Sequence, residues 1–177
     1  HCGRISHPSL QVDEEMPVAP SAIKPEGLAV TYGGMQPFLT PRELTTAEIP
    51  QVVDQFKRAA AVAKAAGFDG VEIHAANGYL LEQFLNPHTN QRTDIYGGTI
   101  RNRARLIIEI ISDVAAAIGS ARTAIRLSPG SQVFDMPFYP EWQQTYQQLV
   151  AELAHFKLAY LHLNDERRDG AAVLSDS

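Results

Sequence analysis

The sequence predicts a parallel α/β fold, and two observations carry that expectation. Apolar residues recur at helical spacing in three segments, and each segment leads into a short run that alternates apolar and polar residues with a period of two. The resulting order of helix, strand, helix, strand, helix, strand is that of successive units in which helices cover a parallel sheet. The chain has 177 residues and 45% hydrophobic content, enough for one domain with a sizeable core. On periodicity alone a doubly wound sheet and a closed barrel remain open, because each covers a parallel sheet with helices.

Residues 1–45 are rich in proline and polar residues. MPVAPSAIKPEG and YGGMQPFLTPREL interrupt any long period, so this stretch is expected to be a loop excursion. Residues 46–177 carry the repeating helix-strand units. TTAEIPQVVDQFKRAAAVAKAAGF places Val52, Val53, Phe56, Ala60, Val62 and Ala63 at amphipathic spacing, with Thr46 as the expected cap and Gly67 as the stop. DGVEIHAA then switches period, with Val71 and Ile73 on one face and Glu72 and His74 on the other. A polar loop is expected after it.

The second helix is expected in TIRNRARLIIEIISDVAAAIG, ending at Gly119. The strand TAIRLSP follows, with Ile125 and Leu127 sharing one face and Arg126 and Ser128 the other. A third helix, from Glu141 to about Phe156, leads into LAYLHLND, where Leu161 and Leu163 oppose Tyr160 and His162.

Composition excludes several function classes. The net charge is -5 and the basic residues are scattered, which argues against nucleic acid or an acidic membrane as partner. Arg101, Arg103 and Arg105 are expected to form a solvated helix face with local ion pairs. Cys2 is the only cysteine, so no internal disulfide can form. His1, His7, Glu72, His74 and Asp135 lack regular ligand spacing, so no metal is expected. No apolar run approaches the roughly 18 residues that span a bilayer, and the amino terminus lacks a signal-peptide layout. A soluble, cytoplasmic protein with a small-molecule partner is the expectation.

The richest segment is GFDGVEIHAANGYLLEQFLNPHTNQRTDIYGG, residues 67–98, where a strand delivers His74, Asn77 and Tyr79 to one mouth. A histidine and an amide can both donate to one developing oxyanion, and a phenol beside them can supply a proton. Taken singly, His74 fits a core histidine and Tyr79 a half-buried aromatic. Together the three predict a catalytic site.

HAANGYLLEQFL, NQRTDIYGG and, from Asn102, NRAR stand in an order and spacing that resemble the old yellow enzyme family of flavin-dependent ene-reductases. The opening HCGRISHPSLQ and the later IRLSP are also similar to that family. The resemblance implies a (β/α)8 barrel, of which this chain would be an internal portion covering roughly the third to the sixth strand. It implies FMN as cofactor and NADPH, or NADH, as hydride donor. The reduced flavin would pass hydride to the β-carbon of an activated alkene such as an enone, a nitroalkene or a related electrophile.

By the same resemblance His74 and Asn77 bind the substrate oxygen, and Tyr79 protonates the α-carbon. Arg126 faces the pyrimidine end of the flavin, with His74 also in contact with the cofactor, and Phe134 lines the substrate pocket. A buried pair between Arg126 and Glu72 is the alternative for that arginine. RTDIYGG is expected to be architectural, with Arg92 and Asp94 paired in a tight loop. Flavin phosphate contacts would come from later strands, so residues 1–177 alone are expected to hold FMN weakly. The open sheet edges are association liabilities. Two rival readings are a non-catalytic barrel remnant serving as an interaction module or subunit piece, and a flavin-free lyase or isomerase with Tyr79 as the acid.

Overall fold

Three parallel strands built on the expected alternation form the sheet of this computed structural model, which describes residues 1–164. They are β5 (Val71–Ala75), β6 (Thr123–Leu127) and β7 (Leu161–Leu163), in spatial order β5-β6-β7. The register sets Ile73 beside Ile125 and Leu161, and His74 beside Arg126 and His162. The last residue of the expected third strand, Asp165, lies outside the described residues.

Helix α1 (Ile49–Ala65) precedes β5, α3 (Ile100–Ile118) joins β5 to β6, and α4 (Trp142–Ala154) joins β6 to β7. Each connection is the helical crossover that parallel strands require. Ile73, Ile125 and Leu127 turn into a core filled from above by Leu106, Ile107, Ile110 and Ile111 of α3 and by Leu149 of α4. Full burial of such a side chain contributes roughly 1.5–3 kcal/mol. The opposite sheet face carries Glu72, His74, Arg126 and His162.

Thr99 caps α3, its side chain accepting from the Asn102 N–H at 3.3 Å, and Gly119 ends the helix at φ 99°. Thr46 does not cap α1. The helix begins later, after Glu48, because Pro50 suits the first turn, and the Thr46 hydroxyl instead donates to Asp94 at 2.5 Å. Val62 also departs from the expected stripe and is 67% exposed.

Two segments expected as loop carry structure. Within residues 1–45, β1 (Val18–Ala19) pairs in parallel with β4 (Arg42–Glu43), and β2 (Leu28–Thr31) and β3 (Gly34–Pro37) form an antiparallel hairpin. The hairpin supports a satellite core of Ile5, Ala29 and Phe38, against which Tyr79 packs. After β5 comes α2 (Leu80–Leu85), six residues that are all buried. With no solvent face it has no polar period to betray it.

Arg103 overturns part of the expected solvated face. It is buried, and its guanidinium donates to the carbonyls of Leu85, at 2.7 Å, and of Gly98. It ties the end of α2 to the start of α3. Arg101 is exposed, and Arg105 donates to the Ile95 carbonyl at 2.8 Å.

Candidate active site at the carboxyl ends of β5 and β6

In a parallel sheet covered by helices, ligands meet the carboxyl ends of the strands. At that end β5 delivers His74, and the chain turns sharply through Asn77 and Gly78 before entering α2. Asn77 has φ 57° and Gly78 φ 75°, both in the left-handed region. Asparagine tolerates that region and glycine is free in it. Glycine is needed at 78 for a second reason, since a Cβ there would stand 2.6 Å from the Val133 carbonyl oxygen.

His74 is poised as a neutral donor. Its Nδ1 accepts the Ala76 N–H at 3.3 Å, so in the neutral ring the proton sits on Nε2. Its pKa is lowered, first by desolvation and then by the charge of Arg126. Asn77 is oriented in a comparable way. Its Oδ1 accepts from the Asn164 side-chain amide at 2.8 Å, which leaves its own NH₂ to donate.

Tyr79 crosses edge-on to His74 with ring centroids 5.2 Å apart, and Phe134 tilts against Tyr79 at 5.4 Å. Desolvation raises the Tyr79 pKa, so the phenol keeps its proton at neutral pH. Phe134 and Asp135 both adopt left-handed backbone, at φ 55° and 58°. Buried Arg4 steadies this turn by donating to the Asp135 carbonyl and facing its carboxylate at 3.6 Å. The sequence-predicted residues His74, Tyr79 and Phe134 thus come together, with Asn77 on the same turn.

Arg126 is not paired with Glu72. The register sets Glu72 beside Ala124, whose methyl leaves room for His162 to reach it at 3.0 Å. The buried Arg126 Nε has no hydrogen-bond partner among the described residues. An orphaned buried donor of this kind costs about 1–3 kcal/mol unless an acceptor reaches it. A flavin pyrimidine ring, with its carbonyl oxygens, suits it.

The pair expected within the RTDIYGG loop forms. Arg92 pairs with Asp94, reaches Glu43 at 3.3 Å, and donates to the Pro20 carbonyl at 3.0 Å. This pairing holds Asp94 at a pKa of about 2. Gly97 passes so close to the Arg92 carbonyl that a side chain would collide with it.

Residues 1–175 match the model of the NADH:flavin oxidoreductase / NADH oxidase family. The chain belongs to that family. It is 47% identical over 131 residues to 12-oxophytodienoate reductase 1 of Oryza sativa subsp. japonica, covering 73% of this chain and 33% of the relative. It is 41% identical over 172 residues to the flavin oxidoreductase hxnT of Emericella nidulans, covering 96% and 44%.

Among solved structures, morphinone reductase in complex with tetrahydroNAD superposes with a TM-score of 0.91 at 42% identity, covering 99% of this chain and 51% of that one. The old yellow enzyme homologue of Zymomonas mobilis gives a TM-score of 0.89 at 39% identity, covering 93% and 46%. The chain therefore spans between about a third and about half of the length of these relatives, and its three-stranded sheet corresponds to part of their barrel.

Some features of the site had no expectation attached to them. Glu82, Ser128, Tyr146 and Asn164 form the polar support of the Asn77 turn, and Arg4 supports the Phe134 turn. Arg4 lies within the opening HCGR motif, which was a usable signal; Glu82 sits in a run of apolar and amide residues that offers none. Among the described residues there is no group of three or more potential metal ligands. Among the same residues no helix is long and apolar enough to cross a membrane.

Proposed function

We propose that this chain carries the substrate-activating part of an FMN-dependent NAD(P)H oxidoreductase that reduces activated alkenes, enones and nitroalkenes among them. The observation that carries the reading is that hydrogen bonding at the end of β5 leaves two donors available, the His74 Nε2–H and the Asn77 amide, with the Tyr79 ring edge-on to His74.

His74 and Asn77 bind the carbonyl or nitro oxygen of the substrate and stabilise the negative charge that grows there. One well-placed donor of this kind lowers the barrier by about 3–4 kcal/mol. Tyr79 delivers the proton to the α-carbon, which its raised pKa permits because the proton is still in place at neutral pH. Phe134 supplies an apolar wall and helps exclude water from that transfer. Arg126 and His74 hold the cofactor edge, and Arg126 offsets charge on the pyrimidine end. Bound FMN, reduced by NADPH or NADH, supplies the hydride.

Family membership supports the flavin, and the morphinone reductase complex with tetrahydroNAD supports a nicotinamide donor. The net charge of -5 supports a small-molecule partner over nucleic acid or membrane. The reading includes a cytoplasmic location, in keeping with a single, exposed free cysteine. It includes weak FMN retention by residues 1–177 alone. For residues 1–177 expressed alone it also includes self-association, because β5 and β7 are the edges of the described sheet.

The test is anaerobic. The protein, kept loaded by saturating FMN because residues 1–177 alone hold it weakly, is reduced with NADPH or NADH and then mixed with a cyclic enone. The reading requires the oxidised flavin spectrum to return in step with enone consumption. Persistence of the reduced spectrum would favour the non-catalytic remnant.

A further inference from the structure

Left-handed backbone at two successive residues turns the Asn77 and Gly78 N–H groups away from any strand or helix ladder, so each needs another acceptor. Both acceptors trace to one side chain. Glu82, buried in α2, accepts the Gly78 N–H at 2.6 Å and the Ser128 hydroxyl at 2.9 Å. Ser128 Oγ in turn accepts the Asn77 N–H at 2.7 Å. Tyr146, from α4, donates its hydroxyl to the same carboxylate at 2.7 Å. Gln83, the next residue, takes the other side of the turn by donating to the Gly78 carbonyl at 2.7 Å.

We propose that Glu82 is a positioning residue for the Asn77 donor: through the Gly78 N–H and the Ser128 hydroxyl, its carboxylate holds the turn that aims the Asn77 amide at the substrate oxygen. This rests on the reading of Asn77 as an oxyanion donor. Three donors converge on the group, and only a carboxylate accepts them all without presenting a hydrogen of its own. An amide of the same shape would set its NH₂ against one of them. Burial pushes the Glu82 pKa up to about 7, opposed by these three donors. A carboxyl placed in so dry a site is stable only where donors meet it.

Amide hydrogen exchange in the ¹⁵N-labelled chain tests the proposal without cofactor. Glu82→Gln keeps side-chain volume, so a space-filling role would leave exchange unchanged. At about pH 8, above the Glu82 pKa, positioning requires the Asn77 and Gly78 amides to exchange about tenfold faster or more, while amides inside β6 keep their protection. Ser128→Ala provides a second, milder variant: Asn77 should lose protection and Gly78 should keep it. Wild-type exchange at Asn77 in Ser128→Ala, or at both residues in Glu82→Gln, overturns the proposal.

In the flavin-loaded protein, Glu82→Gln should also raise the Kd of a phenol about tenfold. Failure of the underlying reading has a different signature, namely unaltered phenol affinity when the Asn77 side chain itself is removed.

Discussion

Replacing Asn77 separates what its side chain does from what its backbone requires. At φ 57° an alanine costs about 1–2 kcal/mol of left-handed strain, whereas glycine adopts the conformation freely. Both variants lose the NH₂ that the bond from Asn164 leaves available. A hydrogen bond to a charged oxygen is worth about 1.5–3 kcal/mol, so both should bind a phenol about 10- to 150-fold more weakly. Stability should part them, with Asn77→Ala melting lower than Asn77→Gly. The assay is a phenol titration of the flavin-loaded protein followed by flavin absorbance, paired with thermal melts. Wild-type affinity in Asn77→Gly would refute the assignment of the donor, because the turn survives in that variant and only the amide is gone.

Other consequences follow from the same geometry. Tyr79→Phe should keep flavin reduction by NADPH or NADH and slow the reoxidation by an enone, since only the second half-reaction consumes the phenolic proton; stopped-flow traces of each half would show it, and equal slowing of both would remove Tyr79 from that role. Gly78→Ala should destabilise by about 1 kcal/mol or more in denaturant titrations, because φ 75° disfavours a side chain and the Cβ meets the Val133 carbonyl at 2.6 Å. Arg103→Met should cost about 2–4 kcal/mol in the same assay by leaving the Leu85 and Gly98 carbonyls without their donor.

The Glu82 carboxyl gives a pH signature. Its folded pKa of about 7 lies above the ordinary 4.5, so the folded state binds the extra proton between those values. Wild type should therefore lose stability relative to Glu82→Gln as pH rises from about 4.5 to about 7, by a total of about 3 kcal/mol. A flat difference across that window would contradict the burial of this group.

The alternation at β5 and β6 was legible because each strand has one apolar and one polar face, and α3 was legible from its apolar spacing and the stop at Gly119. His74, Asn77 and Tyr79 could be proposed as a site from the sequence because they sit on one short stretch whose chemistry converges. What escaped detection did so for physical reasons. Helix α2 is buried on all sides, so nothing in its sequence pattern marks Glu82 and Gln83 as the clamp of the Asn77 turn. Arg103 looked solvated because the carbonyls that satisfy it come from Leu85 and Gly98, which only the tertiary fold brings near. Glu72 pairs with His162 instead of Arg126 because register and the small Ala124 decide the matter, and neither is visible in a strand taken alone. The hairpin over Leu28–Pro37 did leave a trace in Gly33-Gly34, a turn signal obscured by the surrounding prolines.

The central claim is that one substrate oxygen is shared by two donors at the end of β5. A crystal structure of the flavin-loaded protein with a bound phenol tests it most directly. The account predicts the phenol oxygen within about 2.7–3.1 Å of both His74 Nε2 and Asn77 Nδ2. A phenol oxygen held by other side chains, with His74 and Asn77 turned away from it, would contradict the account.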